Sequence, residues 1–129
     1  MNRTALLVGL AYTAIGVLSP FLSSPTTVVF WRVAAFVVSG IVFVVHVLHE
    51  HFRRRNPARR TAWHAAVGAA VGGFGLALAA NIHELGLATG FRPKLLIALV
   101  AWPVLTGVPA FVAALAVAAG LVGIENRRR

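Results

Sequence analysis

Four apolar runs separated by short polar intervals organise the chain. They cover roughly residues 5–22, 28–48, 62–82 and 95–124. A bilayer core asks for about 20 apolar residues in a helix, within a working range of about 17 to 25. The middle two runs fit directly. The first meets the length only by continuing through Pro20 to Leu22. The fourth is long, and a tilt or a kink at Pro103 or Pro109 would absorb the excess. Lipid offers backbone amides no partner, so each run is predicted to be helical in spite of β-branched stretches such as FVVSGIVFVV. The first run follows a basic MNR start but lacks an A-x-A cleavage site, so it is read as a retained helix.

The breaks are short. Asn56-Pro57 interrupts the second interval and Gly90-Phe91-Arg92-Pro93 the third. Loops this short predict antiparallel neighbours and leave no room for a soluble domain. The expected fold is an all-α membrane protein: one domain over residues 1–129, a four-helix antiparallel transmembrane bundle.

Composition agrees with that reading. Hydrophobic residues make up 59% and charged residues 12%. A soluble domain carries about twice that charged share. The net charge of +9 resembles a nucleic-acid signal, but most of it flanks the apolar runs. Arg53, Arg54, Arg55, Arg59 and Arg60 fill the second interval, Arg3 begins the chain and Arg127, Arg128 and Arg129 end it. The opposite side has Arg32, Arg92 and Lys94. The positive-inside rule then predicts a multi-pass cell-membrane protein with the arginine loop and both termini in the cytoplasm. The expected partner is the lipid bilayer, together with a second copy or a larger membrane complex, and not nucleic acid.

Candidate chemistry is sparse. Cysteine and aspartate are absent, and the three glutamates fall near predicted helix ends. That excludes disulfides, thiolate sites and a Ser/His/Asp triad, and the chain is expected not to be an enzyme. The stretch HVLHEHFRRRNPARRTAWH, residues 46–64, gathers four of the five histidines. His46, His49 and Glu50 share the end of the second helix, and His64 lies about one turn into the third. Two imidazoles and the Glu50 carboxylate would suit a divalent metal, and two of His46, His49 and His64 would suit haem. Neither HExxH nor a paired Glu-x-x-His motif is present. The expectation is therefore a hairpin whose arginines rest on headgroups, with His49 and His64 satisfied by interfacial water. His46 is deeper and needs a partner, such as Tyr12, a backbone carbonyl or Glu50.

Two further patterns concern packing. Arg32, Ser39, His46 and Glu50 fall within about 40° of one another on a helix. This polar stripe would line a path in a transporter. The simpler expectation is that Arg32 and Glu50 reach water at the two ends. On the third helix, Gly68, Gly72 and Gly75 form a small-residue face that favours close helix approach. Four spans in about this length resemble small multidrug transporters in outline. Those proteins need a buried Glu in the first helix, which here has no acidic residue, so no site carries over. None of the motif residues of small fluoride channels is found. The leading functional expectation is a non-catalytic structural or accessory membrane subunit without a cofactor. A haem- or metal-binding anchor and a small dimeric transporter or channel are the alternatives.

Overall fold

The computed structural model describes residues 3–22, 24–86 and 93–127. All regular structure among them is helical: α1 (Arg3–Leu22), α2 (Val28–Leu48), α3 (Ala58–Gly86) and α4 (Pro93–Arg127). A single wider turn, His49–Arg53, extends α2 with π-type hydrogen bonding. Three helical stretches are long and apolar enough to cross a membrane: Val28–Arg53, Ala58–His83 and Lys94–Arg127. The apolar part of α1, Arg3–Ser19, is shorter.

The order of packing follows side-chain size. In lipid, helices associate through close packing and hydrogen bonds, because tails are as apolar as Leu. Small residues on α3 let two neighbours approach. On one side Gly68 faces Ala5 and Val8, Gly72 faces Tyr12, and Gly75 faces Thr13. These pairs rise together in both helices, so α1 and α3 run parallel. On the other side Gly73 lies under Trp102 and Thr106, and Gly107 of α4 lies over Ala66 and Ala70. These pairs run in opposite senses, so α3 and α4 are antiparallel. Thus α3 is the central helix, and the α1–α3 contact joins parallel helices that are not sequence neighbours.

Helix α2 is held more loosely. Its apolar window contains no buried residue. Val, Phe and Ile occupy most of its circumference and keep neighbouring backbones away. Even Gly40 meets nothing. Its close packing comes at the arginine-loop end, where Val47 joins Ala62, Ala65 and Ala114 in the core cluster, flanked by Phe43, Phe111 and Leu115.

Side chains supply cross-helix bonds where the interior would otherwise be apolar. The Thr106 hydroxyl lies 3.1 Å from Ala69 O on α3 and 2.8 Å from Trp102 O on its own helix. Asn81 Nδ2 donates to Ala77 O at 2.8 Å and to Leu95 O at 2.9 Å, which fastens the far end of α3 to α4. Helix α4 stays continuous through Pro103 and Pro109. Trp102, whose depth suggests packing, keeps half of its surface exposed while its backbone touches Gly73. His83 near the end of α3 and Lys94 at the start of α4 are exposed.

Candidate functional site

The arginine-loop end of the bundle gathers the buried polar groups. The local chain explains why. Past Leu48 the helix widens, and Arg54 N donates to His49 O, five residues back, at 3.4 Å. Such a turn carries an extra residue and redirects the side chains that follow. Arg55 then adopts φ 48°, a left-handed conformation that ends the helix. Asn56 N reaches back to Glu50 O at 3.3 Å, and Pro57 O accepts from Arg60 N and Thr61 N as α3 begins. The chain therefore reverses around Glu50.

Glu50 is fully buried. Its Oε2 accepts from His64 Nδ1 at 2.6 Å and from Asn56 Nδ2 at 2.7 Å. Its Oε1 lies 3.4 Å from Arg54 Nε, one helical turn along. Arg54 Nη2 also donates to Thr4 Oγ1 of α1 at 2.9 Å. One carboxylate thus links the end of α2, the loop, the start of α3 and, through Arg54, the start of α1. Burying a carboxylate is costly unless charge and hydrogen bonds accompany it. Here both do.

Two expectations from the sequence are corrected. Glu50 does not reach water at the interface. His64 is not left to water either, since its ring is held against that carboxylate. Glu50 lies one turn past the buried His46 on the same inward face, and Asn56 and His64 supply the bonds that water would otherwise make. His49 is exposed on the other side of the turn.

The remaining polar residues sit apart from this centre. His51 is buried, with Nε2 3.9 Å from Glu125 Oε1 on α4 and its ring edge-on to Phe52. His46 is 3% exposed; neither of its ring nitrogens makes a hydrogen bond of good geometry among the described residues, although the His64 backbone lies near the ring. Tyr12, one of its expected partners, packs on Gly72 instead. Arg32 is exposed at the other end of α2. Ser39 is half-buried and borders a gap of about 470 Å³ where all four helices meet. Apart from Tyr12, Ser39 and Thr106 that gap has apolar walls. Arg32, Ser39 and His46 therefore lie in three different environments among the described residues. Among the described residues, no three His, Asp or Glu side chains converge as a metal site requires.

His46 gives a direct test of this arrangement. A buried polar group without a bond costs about 1–3 kcal/mol. His46→Leu, similar in bulk, is expected to leave stability unchanged or raise it by about 1 kcal/mol. Unfolding in mixed micelles measures this. A loss above about 2 kcal/mol would mean that the imidazole has a bonded partner.

No family model, no curated protein and no solved structure matches this chain. The site must be read from its own geometry.

Proposed function

We propose that this chain is a non-catalytic membrane subunit of four spans, structural or accessory in role, which packs with itself or with partner membrane proteins. One observation carries the reading: Glu50, the buried carboxylate, is engaged by His64, Asn56 and Arg54 in closing the hairpin. A group with that many partners holds structure and is poorly placed to turn over substrate. The loose seat of α2 adds to it, because Phe36 and its neighbours present a long apolar face at membrane depth. The apolar walls of the gap beside Ser39 argue against a transport path there.

The experiment is single-molecule photobleaching of the labelled chain in native membranes, paired with native electrophoresis in mild detergent. The expected result is a multi-step bleaching distribution, or a band well above the chain's own mass in its micelle. A single step together with a lone-chain band would overturn the reading.

The proposal includes orientation: the arginine loop and both termini on the cytoplasmic side of the cell membrane. The asymmetry of Arg and Lys motivates it. The native chain has no cysteine, so Ala58→Cys supplies a unique probe. An impermeant maleimide is expected to label it only after the membrane is opened. Labelling in intact cells would reverse the topology.

A second reading rests on His46, whose buried ring nitrogens make no hydrogen bond of good geometry among the described residues and so favour a haem- or metal-binding anchor. A Soret band in the purified protein that disappears in His46→Leu would promote that reading over the structural one.

A further inference from the structure

A groove of about 770 Å³ follows the line where α3 and α4 meet, starting at the arginine-loop end. Its two ends differ in chemistry. At the mouth stand Arg59, Arg60 and Trp63, all exposed on the first turns of α3. Along its length the walls are apolar, including Ala70 and Gly107 on the floor and Val104, Val108 and Phe111 on the α4 side. Among the described residues, no carboxylate borders it. A second notch shares Arg60 and Trp63 and is walled beyond them by Arg3 and Arg54, so cationic groups surround the same corner of α3.

We propose that this groove binds one anionic phospholipid, with the phosphate on Arg59 and Arg60 and an acyl chain laid along the apolar trough. The proposal rests on the membrane placement above, not on the accessory role. Charge and shape select the occupant. Guanidinium groups pair with phosphate oxygens in a fork that no zwitterionic headgroup satisfies without opposing its own cation. Indole rings prefer the headgroup level, which sets Trp63 beside the glycerol. The small floor residues, Ala70 and Gly107, give the trough its depth. A free phosphate would use the arginines but gain nothing from the trough.

Native mass spectrometry of the purified chain in mixed micelles tests this, with phosphatidylglycerol and phosphatidylcholine at equal concentration. The expected result is retention of one phosphatidylglycerol over phosphatidylcholine. Arg59→Gln with Arg60→Gln should cut that retention about tenfold or more, since each cation near a surface contributes. Arg53→Gln with Arg55→Gln removes two exposed arginines of the same loop that do not border the groove, and should retain the lipid. Val108→Trp fills the trough from an exposed position and should displace the lipid with the arginines intact. Inorganic phosphate and glycerophosphate carry the headgroup chemistry without a chain, and neither should compete at the lipid's concentration.

Equal retention of the two lipids would overturn the proposal. So would equal loss in the two arginine pairs, retention in Val108→Trp, or displacement by phosphate alone. Flotation with phosphatidylcholine vesicles separates the underlying premise. A chain that does not float has lost its membrane placement, whereas a floating chain without lipid preference has lost only the site.

Discussion

Glu50→Ala is expected to lower the free energy of unfolding by about 3–5 kcal/mol, the range found when one member of a buried charge pair is removed. The substitution withdraws the shared acceptor of His64, Asn56 and Arg54 at once. His64 and Asn56 are then left part-buried without it, and the wide turn loses the group around which it closes. Arg54 is 44% exposed and recovers in water, so most of the loss comes from the other two. Glu50→Gln keeps the shape and part of the bonding, and should fall between the parent and alanine. Equilibrium unfolding in mixed micelles ranks the three. Parent-like stability in Glu50→Ala would mean that the carboxylate is solvated and the hairpin is closed by other contacts.

The second large effect is expected at Gly73. A Cβ built there falls 2.5 Å from Thr106 Oγ1, 2.9 Å from Trp102 O and 3.1 Å from Trp102 C. The hydroxyl can rotate aside, but the Trp102 backbone cannot unless α4 moves away from α3. Gly73→Ala should therefore cost about 1–3 kcal/mol through overpacking, after allowance for the better helix propensity of alanine. Gly73→Leu should cost more and loosen the Thr106 bond to Ala69. Gly120 on α4 is the control, since a Cβ there meets nothing. Gly120→Ala should be neutral or stabilise by up to about 1 kcal/mol from propensity alone. If the two alanine variants melt together, α3 and α4 do not approach at Gly73.

What the sequence made legible was the helical material and its limits. The apolar run from Val28 to Leu48 coincides with α2, because the polar, Pro-containing SSPTT precedes it and a charged stretch with Asn56-Pro57 follows it. Helix α3 continues past its apolar run at both ends, since Arg59 and Arg60 are good helix formers and hydrophobicity alone does not mark a helix end. One small-residue face of α3 was visible as Gly68, Gly72 and Gly75. The second face, Ala66, Ala70, Gly73 and Ala77, is not singled out by that pattern although it repeats the same small-residue spacing about 160° around the helix. Ala116, Gly120 and Gly123 repeat that spacing on α4. A Cβ at Gly120 or Gly123 would meet nothing within 4 Å among the described residues, and α4 approaches α3 through Thr106 and Gly107.

The centre of the candidate site was only half legible. Regular helix geometry put His46 and Glu50 on one stripe and brought His64 to a similar depth. It could not show the single wide turn at His49–Arg53, which has no marker residue. Glu50 points into the bundle on the face it shares with His46, and a carboxylate expected at the interface becomes the most buried charge among the described residues. Asn56 looked like a loop breaker and is also a ligand of that carboxylate.

The account stands most directly on the Glu50–His64 pair, and a double-mutant cycle between them measures it. The variants are Glu50→Gln, His64→Ala and both together, each unfolded in the same mixed micelles. At 2.6 Å and largely buried, the pair predicts a coupling energy of about 1.5–3 kcal/mol, as for a hydrogen bond to a charged group. The double variant should then be little worse than either single one. Additive losses, with coupling below about 0.5 kcal/mol, would show that the two side chains do not meet and would contradict the hairpin described here.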